Sequence, residues 1–259
     1  MVTSGHVATP PPLVRLAAHP LRWRLLTTLA DSDLRVRELV MRVNEPQNLV
    51  SYHLRLLRDG GLVTAKRSSF DGRDSYYHLD LGRCAELLAE TGSALHPLLR
   101  RAPAPPPLPP GDRPATPVAV LFVCTGNSAR SPMAEALLRH HASGRVTAAS
   151  AGTRPKAHVH PYALRVLHDR FGIDLGDRVP RHLHDLAGRR FDHVVTLCDK
   201  AREDGPELPH HPRRSHWSIP DPATAGDGDR AGYAAFARTA TEIDTRVRHL
   251  LPVLTSTHS

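Results

Sequence analysis

The stretch Val118-Ala-Val-Leu-Phe-Val-Cys124-Thr-Gly-Asn127-Ser-Ala-Arg130-Ser131-Pro-Met-Ala-Glu135 sets a thiol, five residues and a guanidinium between an apolar run and an amphipathic one. The run reads as a strand, Thr125, Gly126, Asn127, Ser128 and Ala129 as a tight loop, and Ser131-Pro132 as a helix start. Backbone N–H groups of such a loop, with the positive end of the helix behind them, hold a tetrahedral dianion and lower a cysteine pKa toward thiolate. Arg130 can grip two oxygens of that anion in a fork. The chemistry predicted is nucleophilic attack by Cys124 on an oxyanion. A structural cysteine at a strand end is the competing reading; loop, arginine and helix start all falling where the chemistry needs them favours the nucleophile.

Stepping outward from the loop, helical spacing over Ser131 to His141, a strand at Arg145 to Ser150 and a helix at Tyr162 to Phe171 follow. A strand at Phe191 to Cys198 and a long terminal helix at Asp229 to Leu254 complete the order. Strands alternating with helices predict a doubly wound parallel sheet with Cys124 at the carboxyl end of its first strand, the edge where such sheets bind ligands. A second cysteine, Cys198, closes a later strand, and Asp221-Pro222 offers a carboxyl group for proton transfer. Cys198 as a structural residue and Asp221 as a turn starter are the alternatives.

Upstream, His19 to Ala30 carries Leu21, Leu25, Leu26 and Leu29 at helical spacing, and a short helix is expected around Val36 to Val43. From Gln47 to Asp59 the residues Leu49, Val50, Leu54 and Leu57 form a buried stripe, leaving Gln47, Asn48, Ser51, Tyr52 and Arg55 on the other face. Those are types that read base edges and grip phosphate. Leu62 to Arg67 and Ser75 to Leu79 read as a hairpin made basic by Lys66, Arg67 and Arg73, and a helix from Gly82 to Arg100 follows. Helices followed by a hairpin and a helix predict a mainly α winged helix-turn-helix whose recognition helix enters the major groove of double-stranded DNA.

The chain has 259 residues and is expected to hold two domains, 13–100 and 118–259, with a disordered tail at 1–12 and a proline-rich spacer at 101–117. The net charge of +8 divides evenly, four positive charges in 13–101 and four in 118–259, so charge alone does not say which half meets nucleic acid. Three cysteines are too few for a disulfide scaffold, and no apolar run reaches membrane-span length. A cytoplasmic protein without a leader is expected. The 18 histidines show no metal-ligand spacing, so no metal is expected.

The C-terminal half resembles the low-molecular-weight tyrosine phosphatase family and the arsenate reductases built on its fold. Beyond the C-x5-R loop, the segments that match are Ser150-Ala-Gly-Thr153, Phe171-Gly-Ile-Asp-Leu175, Val194-Val-Thr-Leu-Cys198-Asp-Lys-Ala-Arg, His216-Trp217 and Asp221-Pro222. The resemblance implies that Cys124 attacks arsenate, with Arg130 and the loop binding it, Asn127 shaping the loop and Ser131 hydrogen-bonded to the sulfur. It also implies Asp221 as the acid and Cys198 as a resolving thiol. The reductases carry a third cysteine where this chain has Gly205, which shortens any disulfide shuttle. No tightly bound cofactor is implied, but a thiol reductant is: thioredoxin, a glutaredoxin-type protein or mycothiol. A phosphatase on the same fold is the alternative, disfavoured because no aromatic residue follows Asp221-Pro222 to stack on a substrate ring.

The N-terminal half resembles the ArsR-type winged-helix repressors over 13–92, which implies an operator-binding homodimer joined through its terminal helices. Where arsenic-sensing members place two thiols, this chain has Arg35 and Arg37, and guanidinium cannot coordinate As(III). Cys84 is expected to be a packed helix residue. The combined expectation is a DNA-binding regulator fused to a thiol-dependent arsenate reductase; a third reading is a transcription factor that only senses oxyanions or redox state through Cys124.

Overall fold

The structure is a computed structural model that describes residues 9–96, 99, 117–204, 212–225 and 229–255. The expected tail up to residue 8, the spacer up to residue 116 and Gly205 lie outside the described residues. What is described falls into two compact units: one takes the chain up to Ala65 and resumes at Tyr77, the other takes Lys66–Tyr76 and everything after the spacer.

In the first unit α1 (Pro12–Ala17) and α2 (Pro20–Leu29) precede a short strand β1 (Leu34–Arg35), α3 (Val36–Val43) and α4 (Gln47–Asp59). Both of the first two helices start on a proline, whose missing N–H costs nothing at that position. Strands β2 (Val63–Arg67) and β3 (Ser75–Leu79), whose Lys66–Tyr76 portion is grouped with the second unit, and helix α5 (Leu81–Leu95) follow in sequence, with β3 central in the order β1-β3-β2. Neither α1, which begins at the last residue of the expected tail, nor β1 has a periodic signal long enough to be read from sequence. The buried face of α4 is Val50, His53, Leu54 and Leu57, an i, i+3, i+4, i+7 set. Leu49 stands about 100° away from Val50 and is 38% exposed, so it leaves the stripe to which its apolarity assigns it, and His53 takes its place. α4 ends at Gly60-Gly61, where Gly61 has φ +75°, and the chain turns back so that Leu62 N–H donates to the Leu57 carbonyl.

The second unit holds four parallel strands: β4 (Val118–Cys124), β5 (Val146–Gly152), β6 (His193–Thr196) and β7 (Arg213–His216). Their order is β5-β4-β6-β7, flanked by α6 (Arg130–Ala142), α7 (Pro161–Phe171), α8 (Asp199–Glu203) and α9 (Asp229–Thr255). β7, with the pattern exposed, exposed, buried, buried, carries no apolar run and is absent from the sequence expectation. After β4 the chain crosses to β5 on one side; after β6 it crosses to β7 on the other. The carboxyl ends of β4 and β6 therefore border the crevice where strand order reverses, and both of this unit's cysteines sit there.

Candidate active site

The loop after β4 is held by the segment that follows β5. Thr153, Arg154, Lys156 and His160 donate backbone N–H to the carbonyls of Cys124, Thr125, Gly126 and Ser128, at 3.1, 2.8, 2.9 and 2.8 Å. With its carbonyls engaged on that side, the loop's own N–H groups are free to face an anion. The approach is close enough that a Cβ on Gly152 would lie 2.7 Å from the Thr125 carbonyl oxygen. Glycine is therefore demanded at the end of β5.

Asn127 has φ +44° and is fully buried. Its Nδ2 donates to Ser131 Oγ at 2.9 Å and to Ser150 Oγ at 2.8 Å, while its Oδ1 accepts from Arg181 N at 2.9 Å. These bonds hold the left-handed turn that asparagine tolerates better than most residues. Cys124 is 2% exposed, with Sγ 3.0 Å from Ser131 Oγ. Arg130 opens α6 and is buried; its Nη1 donates to the Ile219 carbonyl and its Nη2 to Asp221 Oδ2, both at 2.9 Å. Arg130 Nε is buried with no acceptor among the described residues. An unsatisfied buried donor of a charged group is costly, and an oxyanion oxygen in the loop would satisfy it.

Asp221 stands at the start of a 3-10 turn, Pro222–Thr224, which it caps by accepting from Ala223 N at 3.1 Å. A cavity of about 110 Å³ joins Cys124, Arg130 and Asp221, and among the described residues no Phe, Tyr or Trp lines it. Cys198 is 2% exposed, and Thr125 Oγ1 lies 3.3 Å from its Sγ. Burial pushes the Cys198 thiol up, reinforced by Cys124 and opposed by Arg130. The structure thus brings Cys124, Arg130, Asp221 and Cys198 together with the loop residues Thr125, Gly126, Asn127, Ser128, Ala129 and Ser131.

The model for the low molecular weight phosphotyrosine protein phosphatase family matches residues 119–258. The chain belongs to that family. The model for bacterial regulatory proteins of the arsR family matches residues 19–65, so an ArsR-family helix-turn-helix precedes the phosphatase-fold domain. Similar proteins include the arsenate reductases of Shouchella clausii, 36% identical over 130 residues, and of Bacillus subtilis, 34% identical over 130. Each alignment takes 50% of this chain and 91% of the relative. A crystal structure of the arsenate reductase from Archaeoglobus fulgidus is 33% identical, covering 51% of this chain and 98% of that one, with a TM-score of 0.43.

Within this phosphatase-family domain, sequence reasoning missed several contributors. Arg154, Lys156 and His160 line the same cavity as Cys124. They follow β5 by two to eight residues, and only the fold lays that segment along the loop. Burial lowers the His160 pKa, with Lys156 adding to the effect, so the ring is neutral near pH 7; it stacks on Phe236 at 4.4 Å. The landmark His216-Trp217 also gains a structural role. His216 Nε2 lies 3.1 Å from Asp199 Oδ1, Ser218 Oγ donates to the same oxygen at 2.7 Å, and His216 Nδ1 lies 2.9 Å from Thr196 Oγ1. Burial alone would raise the Asp199 carboxyl, but the bonds from His216 and Ser218 outweigh it and hold it well below the usual carboxylate range. These contacts fasten β6, β7 and α8 around the turn that presents Cys198. A wider hollow of about 670 Å³ runs beside α9, and no cysteine is among its described lining residues.

In the ArsR-family half, Gln47, Asn48, Ser51, Tyr52 and Arg55 are all exposed on α4. Arg55 lies 5.7 Å from the Tyr52 ring centre. Arg67 and Arg73 are exposed on the hairpin and Lys66 is half-buried. Glu38 reaches back to the start of α3, its Oε2 accepting from Arg35 N–H at 2.8 Å and from Arg35 Nε at 3.4 Å. Cys84 is half-buried on α5, and its thiol is pushed up to about 11 by burial, with Asp80 adding to it. Among the described residues no group of three or more His, Cys, Asp or Glu is placed to hold a metal, and no helix is long and apolar enough to cross a membrane.

Proposed function

We propose that this chain is a DNA-binding regulator of the ArsR family joined to a thiol-dependent arsenate reductase. The observation that carries the enzymatic half is the buried, acceptor-less Arg130 Nε beside a loop with free N–H groups and a buried thiol. Such a site is built for a small tetrahedral anion. The arsenate reductases to which the domain is similar favour arsenate over a phosphomonoester, as does the lack of a Phe, Tyr or Trp side chain among the described lining residues.

Arsenate is held by the loop amides and Arg130, with Ser131 Oγ, 3.0 Å away, donating to the Cys124 sulfur. Cys124 attacks arsenic; the As–O bond opposite breaks, and Asp221 supplies the proton with which that oxygen leaves as water. A second thiolate then attacks the Cys124 sulfur, the S–As bond breaks, and its electron pair stays on arsenic, which departs as arsenite. Cys198 is the near candidate for that thiol. An external thiol then reduces the disulfide or performs the attack itself.

Operator binding is assigned to α4 and the basic hairpin, and homodimerisation to α1 and α5. Val14, Leu88 and Leu95 lie 42, 62 and 76% exposed on those two helices, an unpaired apolar surface suited to a second copy. Arsenite release by wild type, Cys124→Ser and Cys198→Ser with several thiols, beside hydrolysis of an aryl phosphate, tests the reading. Arsenite with wild type and none with Cys124→Ser is expected; rapid aryl phosphate turnover without arsenite would make the domain a phosphatase.

A further inference from the structure

We infer that Arg154 and Lys156 form a second anion subsite at the mouth of the Cys124 cavity, and that its occupant is the carboxylate of a small acidic thiol, the reductant of the Cys124 adduct. This rests on the reductase reading above and names its co-substrate class. The oxyanion's charge is met inside the cavity by Arg130 and the loop amides, so two further cations exceed what that substrate requires. Arg154 and Lys156 are exposed, line the same cavity as the buried Cys124, and have no side-chain partner among the described residues. Nor are they loosely placed: their backbone N–H groups bond the carbonyls of Thr125 and Gly126 at 2.8 and 2.9 Å. The stem of Lys156 lies against the loop, its Cγ 3.4 Å from where a Cβ on Gly126 would stand. Both residues are thus anchored at the rim through their backbones.

Two other observations point outward for the second sulfur. Cys198 is buried and its thiol is raised, which keeps little of it as thiolate at neutral pH. Position 205, where a further cysteine would continue an internal relay, is glycine. A thiol arriving from solvent must pass the rim to reach a sulfur at the floor of a cavity of about 110 Å³, which suits a small molecule. With its carboxylate on Arg154 and Lys156, its sulfur can address Cys124. The first thiolate attacks the Cys124 sulfur, displaces arsenite and forms a mixed disulfide; a second thiolate attacks the first thiol's sulfur and expels the Cys124 thiolate. Two thiols are oxidised to one disulfide and As(V) is reduced to As(III).

The test is arsenite release by the full chain with mercaptosuccinate, 2-mercaptoethanol and cysteamine, each rate divided by the thiol's thiolate fraction. Wild type should favour mercaptosuccinate over 2-mercaptoethanol in kcat/KM by about tenfold at low salt, the effect of two solvent-exposed charge contacts. That ratio should fall toward one in Arg154→Gln/Lys156→Gln and stay high in Arg238→Gln/Arg248→Gln, a matched loss of two exposed charges on α9. A ratio near one in wild type, or one that survives the double substitution, overturns the subsite. If no thiol yields arsenite, the reductase reading fails, and the subsite is read by calorimetry instead. Phosphate-saturated protein is titrated with the S-methyl ether of mercaptosuccinate: binding by wild type that the double variant loses supports the subsite, and no binding by wild type overturns it. If a carboxylated aryl phosphate gains the same tenfold over its neutral analogue while the thiols show no preference, the thiol assignment is overturned.

Discussion

At the scale of single residues the site depends on directional donors. Arg130 reaches Ile219 and Asp221 through its two Nη atoms and keeps Nε for the substrate. A lysine retains the charge but not the fork, so Arg130→Lys is expected to lower kcat/KM for arsenate by about 10- to 100-fold, the loss of one or two charge-assisted bonds. The three thiols should differ in reactivity for reasons visible in their surroundings. Cys84 is held up to about 11 and Cys198 is raised by burial, whereas Cys124 faces the cavity beside Arg130. Thiolate grows as pH rises through each pKa, so near pH 7 iodoacetamide should label Cys124 first, with Cys198 and Cys84 following only in more alkaline solution. Peptide mapping across pH checks this, and preferential labelling of Cys84 at neutral pH would contradict it.

At the scale of elements, two junctions set the loop. The first is β5 against the loop, where Gly152 leaves no room for a side chain. Gly152→Ala should cost about 1–3 kcal/mol and depress turnover together, because the clash is with backbone and relief moves the oxyanion cradle; denaturant unfolding alongside activity measures both. The second junction is the buried pair Asp199–His216, tying α8 to β7. The folded carboxyl of Asp199 lies below its unfolded value, so its stabilisation is present above about pH 4 and is lost as pH falls further. Asp199→Asn should therefore cost about 3 kcal/mol at pH 7, with the deficit shrinking in acid below pH 4. Trp217, 7% exposed beside this pair, reports the transition by fluorescence, whereas Trp23 at 58% exposure responds little. A deficit that stays constant down to pH 3 would rule out this account.

At the scale of the whole molecule the two halves have separable readouts. Arg55 stands exposed on the outer face of α4, where a guanidinium meets phosphate or a base edge. Arg55→Ala should weaken binding of the full chain to its operator and, if the contact is to phosphate, reduce the slope of log affinity against log salt by about one. Fluorescence anisotropy over a salt series distinguishes this from loss of fold. Leu88→Glu, on the exposed apolar side of α5, should shift sedimentation toward monomer and weaken operator binding with it.

The order of the longer elements and the thiol–loop–guanidinium stretch were legible from sequence because both are local: apolar periodicity marks strands and helices, and C-x5-R is one contiguous loop. Cys124 with Arg130, the outward face of α4 and the parallel character of the second sheet could all be read that way. The misses share a cause. Leu49 is apolar yet exposed, because a one-residue difference in helical phase is finer than composition can resolve. β7 is too short and polar to announce itself, and nothing local ties Arg154, Lys156 or His160 to a loop some 30 residues earlier. Their place follows from β5 pairing beside β4, just as the nearness of Thr125 to Cys198 follows from β6 pairing on its other side. Sequence by itself determined which groups are available for chemistry. Tertiary structure decided which of them share a cavity, because a parallel sheet gathers the ends of distant strands at one edge, and that neighbourhood exists only once the strands have paired.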